Sequence, residues 1–386
     1  MFFSGLRRCI LNYAFYCTVS ATLKSKPIRP TSVNVLEREY FTDKTYNIPP
    51  WILSLIGRNL LSVDGSPLRL LKLKIQDFID KVYLDDDNKP VFKFFENTNP
   101  VVSTKQNFDN LLIPRNHPCR ALSDTYYISS EYLLRTHTSA HQCELIASGY
   151  DQFLIAGDVY RRDQIDRNHF PCFHQLEGVY LTKVPELRRL LSNRLRQSAA
   201  DTILPVENPP KQECHSDDCY HLLQQHLKQC LEGLVRHLFG DDIVFRWISS
   251  YFPFTYPSWE IEIFHRDSWL EILGCGIVQQ QILVNAQFPD KVGWAFGLGL
   301  ERLAMVLYGI PDIRLFWSTD SGFSSQFVGL DFRKSYKYKV GITISDLCSV
   351  VRFEFYIQLC QYFAFSLYKM VYPEKLPVTR VSEMSS

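Results

Sequence analysis

The chain is expected to adopt an α+β fold, an antiparallel β-sheet flanked by helices. Two patterns carry that expectation. Residues 243–252, 258–264 and 269–278 alternate strongly and are rich in aromatic and β-branched side chains, with His265-Arg266-Asp267-Ser268 turning between the last two. Such a run is an antiparallel meander, not a βαβ array. Residues 67–83 and 218–239 repeat apolar side chains at helical spacing instead. A chain of 386 residues can bury a large core and suits one big domain with extensions.

Composition narrows the function classes. With 46% hydrophobic residues, 21 Tyr and 27 Phe, disorder is excluded as the dominant state. A net charge of +1 gives no global drive toward nucleic acid or anionic membrane, so any nucleic-acid contact must use a local basic patch. The eleven cysteines follow no repeating spacing, which fits reduced thiols rather than a disulfide framework. No apolar run reaches the roughly 18 uncharged residues of a membrane span.

The first acidic residue is Glu37, preceded by Arg7, Arg8, Lys24, Lys26 and Arg29 among Ser and Thr. Residues 1–36 therefore read as a mitochondrial transit peptide. The rival, a secretory signal with Cys9 to Val19 as its apolar region, is disfavoured because basic residues recur beyond that stretch. Residues 37–65 are turn-rich. Ser66 and Pro67 then open a helix whose apolar face is Leu68, Leu71, Ile75, Phe78, Ile79 and Val82. Asp85-Asp86-Asp87 reads as a solvated turn, since no spaced metal ligands follow it.

Short apolar runs separated by turns fill 90–128, and Thr138 or Ser139 could start a short helix ending near Gly149. From Gly157 to Gly178 the chain reads GDVYRRDQIDRNHFPCFHQLEG, between the strand-like runs Phe153–Ala156 and Val179–Leu181. That arrangement predicts two antiparallel strands joined by a long excursion rich in Arg, His, Asp and Glu. Arginine at a strand end suits phosphate oxygens, which its fork can bind in pairs; a solvated charged loop is the plain alternative. Helices are expected over 184–203 and 218–239, the second bearing Leu223, Leu227, Leu231, Leu234, Val235 and Leu238 and stopping at Gly240. Between them Cys214, His215, Cys219 and His221 are too crowded for a finger-like zinc site and are read as a polar loop. Gly293–Gly309 begins as a strand, bends at Gly297 and Gly299, and becomes a helix with Arg302 in its first turn.

Together these stretches resemble class II aminoacyl-tRNA synthetases. Tyr160-Arg161-Arg162-Asp163 and Gly297-Leu298-Gly299-Leu300-Glu301-Arg302 look like the second and third motifs of that class. The match is closer still to single-chain, mitochondrial-type phenylalanine–tRNA ligases. It is carried by Arg135-Thr136-His137-Thr138-Ser139, Phe173-His174-Gln175-Leu176-Glu177-Gly178, Tyr251-Phe252-Pro253-Phe254 and Trp294–Gly299, from about residue 100 to about 327.

The resemblance implies a catalytic domain over 37–327 that activates L-phenylalanine with ATP and transfers it to the terminal adenosine of tRNA(Phe), in the mitochondrial matrix, as a monomer and without a membrane. Arg161 and Arg302 would be catalytic. Arg161, Asp163, His169, Phe173, Glu271 and Arg302 would hold ATP, with Mg²⁺ placed by Glu262 and Glu271. His137, Ser139, Gln175, Glu177, Phe252, Phe254 and Ala295 would hold the amino acid. Gln175 and Glu177 alternate with Leu176, so both face one side of their strand. The rival classes are a catalytically silent module that binds RNA or a protein partner, and a class II ligase for another amino acid. Five intact residues, Arg161, Glu177, Phe252, Phe254 and Arg302, weigh against the silent module.

The family continues into a ferredoxin-like anticodon-binding domain, and residues 328–386 do not show its βαββαβ pattern. Ile344–Tyr372 is apolar and aromatic but interrupted by Asp346, Arg352, Glu354 and Lys369, too charged for a membrane span. A replacement helix, a variant splice product and translated non-coding sequence are all open readings. With such a tail the expectation is adenylate formation with poor tRNA charging.

Overall fold

The computed structural model describes residues 29–96, 98–195 and 211–340. Residues 1–28 of the expected leader, residues 196–203 of the predicted 184–203 helix and residues 341–386 lie outside these residues. The chain divides into two compact units, 1–337 and 338–386, and the strands and helices of the described residues all lie in the first.

Its centre is a seven-stranded sheet. In chain order the strands are β1 (Lys93–Phe95), β2 (Gln152–Tyr160), β3 (Cys172–Thr182), β4 (Phe245–Phe252), β5 (Thr255–His265), β6 (Ser268–Val278) and β7 (Val292–Gly299). Across the sheet they run β1-β2-β3-β7-β6-β5-β4. Only β1 is parallel to its neighbour; every other pair is antiparallel. The meander expected over 243–278 is thus present. Its β5–β6 connection is a two-residue turn in which Arg266 and Asp267 take φ of 49° and 63°, the twist that a tight hairpin requires.

The β2–β3 pair is longer than the sequence suggested. Tyr160 pairs with Cys172 and Gly157 with Gln175, so the excursion shrinks to residues 161–171. Polar residues disguised these strands, because Asp158, His174 and Glu177 have partners inside the protein. A separate small hairpin joins Ser32–Val35 to Arg38–Phe41, with Val33 and Val35 buried.

The longer helices cover one face. Helix α1 (Pro67–Val82) starts on the fixed φ of Pro67. Ser66 occupies the cap position, but its side chain makes no capping bond. Leu68, Leu71, Ile75 and Ile79 have no exposed surface. Asp85 then turns the chain by accepting from the backbone of Asp87 and Lys89, which leaves the three aspartates as an exposed turn. Among the described residues no group of three or more His, Cys, Asp or Glu could hold a metal.

A short helix, α2 (Gln142–Ala147), precedes β2, and α3 (Val184–Leu195) follows β3. Helix α4 (Asp217–Phe239) is capped by Ser216 Oγ, which accepts from Cys219 N at 3.1 Å. The Cys/His stretch is therefore a helix start, with Cys219 and Tyr220 buried on its inner side. Helix α4 packs on β6 and β7, and α5 (Leu300–Tyr308) on β3. The His226 ring accepts from Trp294 Nε1 at 3.0 Å across that interface. No helix among the described residues is long and apolar enough to cross a membrane.

Candidate active site

The opposite sheet face carries the cleft. Directly paired residues share a face, so one row runs Glu177, Gly297, Gly274, Glu260. The next row holds Gln175 and Gly299. A Cβ added at Gly297 or Gly299 would meet nothing within 4 Å, so these glycines floor an open cleft. Side chains stand around that floor. The Phe252 ring lies over Gly274, 2.8 Å from where a Cβ would be.

At one end sits a carboxylate in an apolar wall. Glu177 is buried. Its Oε2 accepts from Ser139 Oγ at 2.6 Å and from Thr138 Oγ1 at 3.3 Å. Burial raises its carboxyl to about 7, against the two hydroxyl bonds that pull it down. Gln175 points the same way, and its Oε1 is buried without a partner among the described residues.

The wall is aromatic. Phe252 and Phe254 lie parallel, with centroids 5.9 Å apart and planes 10° apart. The His137 ring is 6.2 Å from Phe254. Burial, then the charge of Arg161, push His137 down to about 3, so it is neutral near pH 7. Ala295, buried on β7, belongs to the apolar cluster against which Phe254 packs.

The other end is cationic. Arg161 follows β2 immediately; its Nε donates to Thr136 O at 2.9 Å and its guanidinium lies 5.1 Å from the Phe173 ring. Among the described residues its two Nη groups have no hydrogen-bond partner. Burial lowers its proton affinity; the charges of Asp163 and Glu271 oppose that, and the charge of Arg302 adds to it. Arg302, in the first turn of α5, donates through Nη1 to the Glu271 carbonyl at 3.2 Å and carboxylate at 3.4 Å.

Helix α5 is pinned behind it, where the buried Glu301 accepts from His174 N and meets His174 Nδ1, both at 2.7 Å. Trp317 stacks on His174 and on Phe170, near the end of the excursion.

The structure thus gathers Arg161, Phe173, Glu271 and Arg302 at one end and His137, Ser139, Gln175, Glu177, Phe252, Phe254 and Ala295 at the other. Asp163 and His169 stay exposed on the excursion, where His169 turns back onto Asp166 at 2.9 Å. Glu262 is Glu271's cross-strand neighbour, but its Oε2 takes both Nε and Nη2 of Arg246 at 2.6 Å. Sequence reasoning missed Glu260, which shares the floor row and accepts from Ser250 Oγ at 2.8 Å. The alternation Glu260-Ile261-Glu262 could have found it, since both glutamates face one side. It also gave no role to Thr138, or to Glu301 and His174.

Residues 88–199 and 219–327 match the family model described as tRNA synthetases class II core domain (F). The mitochondrial phenylalanine–tRNA ligase of Mus musculus is 44% identical over 333 residues, covering 86% of this chain and 73% of the relative. The chloroplastic/mitochondrial phenylalanine–tRNA ligase of Arabidopsis thaliana is 45% identical, covering 80% and 68%. That of Saccharomyces cerevisiae mitochondria is 42% identical, covering 75% and 70%.

Proposed function

The chain belongs to the phenylalanine–tRNA ligases of class II, and from that premise we propose that the cleft over the glycine floor holds L-phenylalanine and ATP end to end, joined at Arg161. The observation that carries this reading is the short segment Thr136–Ser139. Its first residue receives Arg161 and its last donates to Glu177, so the cationic and acidic ends cannot drift apart.

The substrate ammonium fits the Glu177 carboxylate, with Gln175 Oε1 beside it. The phenyl ring enters between the Phe252–Phe254 wall and Ala295, where aromatic contacts contribute about 0.5–1.5 kcal/mol per pair beyond burial. Adenine stacks on Phe173. The carboxylate oxygen of phenylalanine then attacks the α-phosphorus, a P–O bond forms, and the bond to pyrophosphate breaks. The nucleophile is already ionised, so no protein base is required. Alignment and charge stabilisation do the work. Arg161 has donors to spare at that phosphorus, and Arg302 suits the departing phosphates.

Class II synthetases use ATP with a divalent metal, which neutralises phosphate charge when bound. Glu271, at the open rim, fits such an ion, and beside it Glu262 Oε1 has no hydrogen-bond partner among the described residues. One or two carboxylates plus phosphates are what Mg²⁺ usually takes. Asp163 and His169 would reach ATP by movement of the excursion. Work in the mitochondrial matrix, as a monomer, completes the reading; the relatives' mitochondrial names support the compartment.

The test is phenylalanine-dependent ATP–pyrophosphate exchange. Arg161→Ala and Arg302→Ala should each lower it by on the order of 10²–10³. Wild-type rates in either variant would remove that arginine from the mechanism.

A further inference from the structure

Arg135 is buried, with 1% of its surface exposed, yet every arm of its guanidinium is used. Nε donates to Asp158 O at 2.6 Å and Nη2 to Asp158 Oδ1 at 2.7 Å. Nη1 donates to Thr98 Oγ1 and meets His141 Nε2 at 3.1 Å. Burial and the charge of Arg135 push His141 down to about 4, which makes it a neutral acceptor. Burial opposes ionisation of Asp158, but Arg135, His174 and the Tyr160 hydroxyl hold its carboxyl below the usual range.

The side chain lies on β2 above Gly157, where any Cβ would be driven into Nη2. The adjoining backbone is fixed too. Arg135 N donates to Pro100 O at 2.8 Å and Tyr160 N to Arg135 O at 2.9 Å. Asn107 receives Thr136 N at 3.0 Å and donates to Thr136 Oγ1 at 2.8 Å.

We propose that Arg135 is a positioning residue: seated on Gly157 and forked onto Asp158, it clamps residues 135–139 so that Thr136 aims Arg161 at ATP while Ser139 holds Glu177 for the amino acid. This rests on the cleft being the site of phenylalanine and ATP. Arg135 itself touches neither reactant. A buried ion pair is weak evidence of a contribution to stability, because desolvation offsets much of the attraction. What the fork supplies is direction, since a planar donor set fixes the segment's angle as well as its place. One clamp serving two half-sites has a particular signature: loosening it must weaken both together.

Exchange kinetics of Arg135→Lys, Gly157→Ala and Thr98→Val test this, with KM measured for each substrate across neutral pH. Arg135→Lys keeps the charge and loses the fork. Its KM for phenylalanine and for ATP should rise together, each by roughly tenfold, the worth of one charge-assisted hydrogen bond. Gly157→Ala should do the same, and Thr98→Val less in the same direction.

The pH at which KM for phenylalanine changes should also move upward, because Ser139 and Thr138 would hold the Glu177 carboxylate less well. The titratable group coupled to that carboxylate is Cys143 on α2, whose thiol is pushed up to about 12 by burial and then by the Glu177 charge; Glu260 lies three strands away in the same row. Variants that are merely less heat-stable, with both KM values and the pH profile unmoved, overturn the proposal, as does a rise in one KM alone. If Arg135→Lys fails to fold, Thr98→Val decides, and wild-type constants there overturn it. Exchange by the wild-type chain is the control; its absence removes the cleft reading and the clamp with it.

Discussion

The residue with the clearest physical signature is Glu177. Its folded carboxyl lies near 7 against an ordinary 4.5. A raised acid favours folding while protonated, a contribution complete below about 4.5 and lost as pH rises through about 7. The ligand-free protein should therefore lose thermal stability across that window, and Glu177→Gln should not. Phenylalanine binding has the opposite sense, because the ammonium needs the carboxylate. KM for phenylalanine should fall as pH rises through about 7, and a Glu177→Gln variant that keeps this slope would contradict the assignment. Ala295→Gly widens the ring pocket by one methyl and should raise relative exchange with para-substituted phenylalanines; unchanged ratios would count against it. Strand parity made Gln175 and Glu177 legible in sequence. The same parity puts Glu260 beside Glu262, but the sequence gives no hint that Arg246 already occupies the Glu262 carboxylate.

At the scale of elements, glycines divide by what lies above them. A Cβ on Gly297 enters open cleft, whereas one on Gly178 would be driven into the Phe296 ring. Gly178→Ala should cost about 1–3 kcal/mol of stability by overpacking. Gly297→Ala should leave stability within about 0.5 kcal/mol of wild type while lowering exchange about tenfold or more through misplaced substrate. Denaturant melts beside exchange rates separate the two; equal loss of stability in both would sink the distinction. Sequence showed the meander, α1 and α4 plainly, because apolar period decides them. It shortened β2 and β3, whose buried polar residues break alternation and whose partners lie far along the chain: Glu301 for His174, Arg135 for Asp158.

For the molecule as a whole, the architecture was legible because the motifs sit in a fixed sequence along the chain. How they converge could not be read from it. The β3–β7 pairing sets Glu177 opposite Gly297, and helix α5 brings Arg302 to Glu271 on β6. That convergence is what the proposed activation of phenylalanine in one cleft rests on. ATP–pyrophosphate exchange by the purified chain, run against all the standard amino acids, tests it most directly. Exchange with phenylalanine should lie far above that with every other amino acid, tyrosine included. A folded preparation that shows no exchange, or that prefers another amino acid, would contradict it.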